Sequence, residues 1–279
     1  MDTAAFAAAL DDVFEGELED GLPRDGRFAG LAEAVPGFCT PAELAVLNLA
    51  ARMLPAGEAY LEVGTFKGRS LCGALLDAPD RTYVTVESYQ EFGMHASSSR
   101  AALAGNLARY ADRAVVLHDA DCFGLLARPE AVREPVGVYF YDGTHTALTH
   151  YLALGVVEPL LADEALVLVD DASWPMVAEA SRRYVRRHAG WSVVRDIRTP
   201  REYDPIWANG LLVLAYRRPA GAPRRIARDI RWRLPVQTRL RGPARSLVLR
   251  ALHRLPWLVP LAVRLVPKGP RTVRQPDPV

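Results

Sequence analysis

Short apolar runs recur along the chain at 59–61, 81–86, 114–118, 136–141 and 165–169, and helix-forming stretches separate them. Strands buried on both faces read as near-continuous apolar runs, and their alternation with helices predicts a parallel sheet wound on both sides. Two further runs, 191–194 and 211–216, follow with one helix between Pro175 and His188, so the last two strands are expected to close the sheet as an antiparallel pair. Upstream, Phe6 to Leu10 and Phe28 to Ala34 suggest short helices. Thr40, Pro41 and Glu43 form a capping box with proline at the first helical position, opening a helix that runs through Leu47 and Leu49 to Met53. No internal repeat is visible.

The run from Ala59 to Leu61 leads into Glu62–Ser70, E-V-G-T-F-K-G-R-S, which reads as a strand, a glycine turn and a helix starting near Arg69. Gly64 and Gly68 let the backbone bend tightly, and the free N–H groups of the helix start favour a carboxylate or phosphate. The spacing G-x-x-x-G lacks the third glycine of the dinucleotide fingerprint and the Lys-Ser/Thr pair of a P-loop, which lowers the rank of nicotinamide cofactors and ATP. Glu87 closes the next strand, 23 residues after Gly64, where a carboxylate can accept both hydroxyls of a ribose. The plainer reading of Glu87 is a solvated acid at a strand end.

Open α/β sheets bind ligands at the carboxyl ends of their strands. Asp142 and His145 follow the fourth run, and Asp170 and Asp171 close the fifth. If those strands are neighbours, three carboxylates converge. Without a counter-charge they would raise one another's pKa, whereas a hard divalent cation taking oxygen ligands would hold all three ionised. Mg²⁺ held by Asp142, Asp170 and Asp171 is the expectation. The plainer alternatives are a cofactor-contacting acid at Asp142, a helix N-cap at Asp170 and Asp171, and a backbone-bonded helix-start residue at His145. His118 and His150 read as structural. His95 falls in the 90–99 loop, and Tyr89, Phe92, Trp174 and Trp207 are either pocket walls or packing.

An acid opening the glycine turn and another ending the next strand resemble the class I S-adenosylmethionine-dependent methyltransferases. That resemblance spans about residues 36–217 and implies a Rossmann-like doubly wound sheet with S-adenosylmethionine as cofactor. It assigns Glu62 and Gly64 to the methionine part, Glu87 to the ribose, and Asp121 and Cys122 to the adenine. Thr65, Phe66, Gly68, Ser70, Ser88 and Asp142 complete the cofactor-binding set. It also implies that the first 55 residues form a helical lid over the cofactor end. The D-x-x-H of Asp142 and His145, followed by an Asp-Asp strand end, resembles the metal-dependent O-methyltransferases, particularly those acting on sugar hydroxyls of macrolides and related natural products. Catechol-type relatives usually have lysine where His145 stands, and aspartate is more frequent than glutamate at Glu87. A cation on the acids would lower the pKa of an acceptor hydroxyl and orient it, and His145, with an ordinary pKa near 6.5, would serve as general base.

At 279 residues, half of them hydrophobic, the chain can bury an enzyme-sized core. Cys39, Cys72 and Cys122 form no C-x-x-C pair, so neither a disulfide framework nor a zinc site is suggested, and a reducing cytoplasm fits. The N-terminus lacks a secretory pattern, and no run reaches the roughly 18 apolar residues that span a bilayer. From Pro219 onward, fourteen Lys or Arg face only Asp229 and Asp277, a net +12; with the whole chain at +1, residues 1–218 carry −11. The Pro/Gly stretch 219–223 therefore divides a catalytic unit, 56–218, from a basic extension, 219–279. That extension is expected to pack on the acidic body of its own or a neighbouring subunit in a homo-oligomer, or to touch an anionic membrane peripherally; nucleic acid is not expected. Function stays open between an O-methyltransferase for a small-molecule or sugar hydroxyl, a metal-independent methyltransferase for nitrogen, carbon or macromolecular acceptors, and a non-catalytic binding protein on the same fold.

Overall fold

The computed structural model describes residues 1–89, 96–111, 113–245 and 247–248. A small hairpin, β1 (Phe14–Glu15) with β2 (Leu22–Pro23), precedes a seven-stranded sheet of β3 (Ala59–Val63), β4 (Thr82–Glu87), β5 (Val115–Asp119), β6 (Val136–Tyr141), β7 (Leu161–Asp170), β8 (Trp191–Ile197) and β9 (Leu211–Arg217). The order across the sheet is β5-β4-β3-β6-β7-β9-β8. β3 through β7 pair in parallel, while β9 lies antiparallel between β7 and β8. The expected final antiparallel pair is present.

Successive residues of a strand face opposite sides, and both faces here are apolar. Tyr60, Val138, Phe140, Leu166, Leu168 and Val213 face one helix layer, built from α1 (Thr3–Leu10), α2 (Arg27–Ala34), α3 (Pro41–Arg52) and α4 (Arg69–Leu75). Leu61, Val63, Tyr139, Val167, Val169 and Leu214 face the other, built from α6 (Cys122–Leu126), α7 (Ala147–Val157), α8 (Pro175–Arg187) and α9 (Arg228–Pro235). A further helix, α5 (Ala96–Tyr110), packs on α4. The capping box read from sequence starts α3: Thr40 N–H donates to Glu43 Oε2 at 2.7 Å and Thr40 Oγ1 accepts from Glu43 N–H at 3.3 Å.

The N-terminal helices pack along one face of the sheet. The Met1 ammonium pairs with Glu58, just before β3, and Thr3 donates to Glu164 near the start of β7, which anchors the start of α1 at the amino end of the strands, while Asp11, just past α1, pairs with Arg195 near the end of β8. Arg27 of α2 pairs with Asp77, beyond α4. Toward the carboxyl ends, the carbonyls of Leu18 and Glu19 accept from the indole N–H of Trp207, in the loop before β9, and Phe38 stacks on Phe66 at 5.9 Å. The first part of the basic extension lies against the acidic body. α9 packs on α7, where Gly155 leaves room for the fully buried Ile230, and Arg224 pairs with Asp163.

Candidate active site

The carboxyl ends of β3, β4, β6 and β7 surround a cavity of about 190 Å³. Gly64 forms its floor with φ +95, and a side chain there would strike the Asp142 carbonyl oxygen. Gly68, φ +92, is the left-handed N-cap of α4, and a Cβ would meet Leu103. Both glycines are therefore fixed by backbone conformation and by close approach. Between them Phe66, itself at φ 50, donates its N–H to Glu87 Oε2 at 2.8 Å. Tyr89 N–H donates to Glu87 Oε1 at 2.7 Å, so the acid at the end of β4 pins both loops while still lining the cavity.

Glu62 sits beneath this turn, not in it. It is wholly buried, accepts from Ser70 Oγ at 2.8 Å and Tyr60 O–H at 3.0 Å, and is pushed up to about 7 by burial. Thr65 bonds to Thr85 on the neighbouring strand. Glu62, Thr65, Gly68 and Ser70 thus brace the turn, while Gly64, Phe66, Glu87, Ser88, Asp121, Cys122 and Asp142 line the cavity. Asp121 also caps α6, its Oδ2 accepting from Gly124 N–H at 2.8 Å.

At the ends of β6 and β7, Asp142, His145 and Asp171 bring ligand atoms within 4.8 Å of one another, the one such grouping among the described residues. His145 Nε2 lies 2.8 Å from Asp171 Oδ2 and 3.4 Å from Asp142 Oδ1, off the line of a good hydrogen bond in both cases. Asn209 Nδ2 donates to Asp171 Oδ1 at 2.8 Å. Asp171 has φ 56, a left-handed conformation that costs a non-glycine residue on the order of 1–3 kcal/mol and that clusters at functional sites. Neither helix-start alternative is realised: Thr146 caps α7, and α8 begins after Trp174 with no side-chain cap.

Asp170 borders the same cavity. Its carboxylate is pushed well above the ordinary range, by burial first and then by the charge of Glu43, a buried acid on α3 that is itself raised to about 8 by burial. All three acids of the expected trio, Asp142, Asp170 and Asp171, border the cavity, and His145 groups closely with Asp142 and Asp171. Burial disfavours charge on His145, yet Asp142 and Asp171 outweigh it and raise its pKa to about 10. His150 goes the other way, down to about 3, because it is buried beside His145 with no hydrogen bond to either ring nitrogen.

Of the expected pocket walls, Trp174 packs edge-on against His145 at 5.1 Å, whereas Trp207 is a core residue beneath Phe14, its Nε1–H donating to Leu18 O at 3.0 Å. Tyr89 is buried under Arg100. Phe92 and His95 lie outside the described residues. His118 lies near the end of the edge strand β5 and does not line the cavity. Sequence reading missed Phe38, Tyr203, Asn209, Gln237 and Arg245, all of which line the cavity. The Asn209-Gly210 pair is a turn signal that flags the first of these loops; nothing local marks Gln237 or Arg245.

Residues 61–172 match a family model described as a methyltransferase domain. No curated protein matches the chain. Among solved structures it is similar to the O-methyltransferase TomG of Streptomyces achromogenes, in complex with S-adenosylmethionine, at 22% identity over 71% of this chain and 92% of that one, TM-score 0.50. The O-methyltransferase from Bacillus cereus aligns at 17% identity over 77% and 97%, TM-score 0.50. The methyltransferase PaMTH1 of Podospora anserina aligns at 13% identity over 77% and 95%, TM-score 0.51. Family match and fold agree on the same stretch: residues 61–172, which match the methyltransferase domain, lie within the seven-stranded sheet, a fold shared with these solved structures.

Proposed function

We propose that the protein methylates a hydroxyl of a small molecule or sugar, with S-adenosylmethionine bound across the glycine turn and a divalent cation, Mg²⁺ by the oxygen-rich donor set, held by Asp142 and Asp171. The observation that carries this reading is the convergence of Asp142, His145 and Asp171 at the rim of the cavity that Gly64 and Glu87 also line. The donors fit a hard cation, since two carboxylates face one point and Asn209 fixes one of them.

The methyl sulfonium supplies an electrophilic carbon and the cation would supply Lewis acidity. The chain's own residues do the rest. Glu87 holds the nucleoside end, Gly64 leaves room for the methionine part, Glu62 and Ser70 stiffen the turn, and Phe38 and Phe66 shield the cleft from water. His145, next to both carboxylates, would be the group that takes the acceptor's proton when its imidazole is neutral.

A second reading rests on His145 itself. Its pKa is raised to about 10 by Asp142 and Asp171, and its imidazolium would offset one of the two carboxylate charges and, in a metal-independent enzyme, orient the acceptor. One experiment separates the two: incubation with S-adenosylmethionine and an extract of the host, with Mg²⁺ or after exhaustive chelation, and mass spectrometry of the methylated products. Product only with Mg²⁺, abolished by Asp171→Ala while affinity for S-adenosylhomocysteine is nearly unchanged, is expected. Full turnover after chelation would transfer the function to the second reading, and failure to bind S-adenosylhomocysteine would sink both.

A further inference from the structure

α9 and the turn that continues it have two apolar faces. Ile230 is fully buried, and Leu234 and Gln237, four and seven residues on, share that inward side. Trp232, Val236 and Leu240 recur at i, i+4 and i+8 on the outside and are 72%, 38% and 65% exposed; Leu247 and Val248 extend the exposure at 64% and 54%. One apolar face suffices to dock a helix on a core, so the outer stripe is not needed by the fold. Arg228, Arg231, Arg239, Arg241 and Arg245 are exposed along the same segment. Its one acid, Asp229, is occupied by Tyr151 and Arg233. Residues 249–279 add six more Lys or Arg against Asp277.

We propose that this outward stripe is a docking surface for an anionic lipid bilayer. Tryptophan and leucine on one side of a short basic helix suit the boundary between headgroups and acyl chains, and the flanking arginines complement anionic headgroups. A second copy of the chain offers a worse match, because pairing the stripe with itself would bring the flanking arginines of both copies together with no free acid in the segment to offset them. The contact is peripheral: among the described residues no helix is long and apolar enough to cross a membrane. Gln237, Gly242 and Arg245 of the same arm line the catalytic cavity, so docking holds the cavity beside the bilayer surface.

Docking needs neither cofactor nor metal, so it is read apart from catalysis. The full chain is sedimented with vesicles of phosphatidylcholine alone and with phosphatidylglycerol added, at low and high salt, beside Trp232→Ser/Leu240→Ser and Arg239→Glu/Arg241→Glu. Both variants alter exposed side chains, and an unchanged melting temperature confirms that they fold. The parent is expected to pellet with anionic vesicles only, less at high salt. The serine pair should lower partitioning about tenfold or more, and the charge reversals by at least about fivefold per arginine. Equal pelleting of parent and serine variant, or pelleting that ignores lipid charge, would overturn the proposal. So would a parent whose mass by light scattering falls to that of a monomer in the serine variant, since a second copy would then cover the stripe.

Discussion

At the scale of single residues, the site depends on carboxylates that each do two things. Glu87 pins Phe66 and Tyr89 through their N–H groups and also borders the cavity, where its carboxylate would meet the ribose hydroxyls. Glu87→Ala should weaken binding of S-adenosylhomocysteine by about 1–3 kcal/mol, the usual loss for charged hydrogen bonds, read by titration calorimetry. Glu87→Asp, which keeps the charge and shortens the reach, should fall between. Unaltered affinity in the alanine variant would remove Glu87 from the nucleoside site. Its place was legible in the sequence because a strand end fixes where a side chain emerges. The division of labour between Asp170 and Asp171 was not. Adjacent strand residues point to opposite faces, and which one meets His145 is decided by the left-handed φ of Asp171 and by Asn209, 38 residues away.

At the scale of elements, the sheet was readable because each buried strand carries its own apolar run, and the strand positions fell where those runs lie. Contacts between distant elements leave no such local mark. The arm that reaches the cavity through Gln237 and Arg245, the latter donating to Thr144 Oγ1 at 2.7 Å, is held in place by α9 on α7. Gly155 decides that packing. In an isolated helix Gly→Ala gains about 1 kcal/mol, but here the added methyl would occupy the space of Ile230. Gly155→Ala is therefore expected to destabilise by about 1–3 kcal/mol in urea unfolding. Ile230→Ala should cost about 2–5 kcal/mol in the parent and clearly less in the Gly155→Ala background, because the second methyl fills the space the first substitution vacates. Additive losses would mean that α9 and α7 do not share this contact.

At the scale of the whole molecule, an acidic body and a basic arm offset each other, and ion pairs tie remote parts of the chain to one sheet. Glu164, at the start of β7, joins three of those parts. It accepts from Thr3 Oγ1 at 2.6 Å and Thr3 N–H at 2.9 Å, and Arg217 at the end of β9 donates to it at 3.2 Å. The two bonds from Thr3, with help from Arg217, hold its carboxyl down to about 2, below the ordinary value near 4.3. A depressed folded-state pKa means that the unfolded chain takes up the proton first. The stabilisation is therefore complete above about pH 4.5 and is lost as pH falls toward 2. Because the group is partly exposed, its contribution is about 1–2 kcal/mol. Glu164→Gln should thus unfold at lower urea than the parent at pH 7, with the gap between the two narrowing from pH 4.5 downward and closing near pH 2. Curves that stay parallel across that range would show that the N-terminal helix is not held to the sheet by this charge.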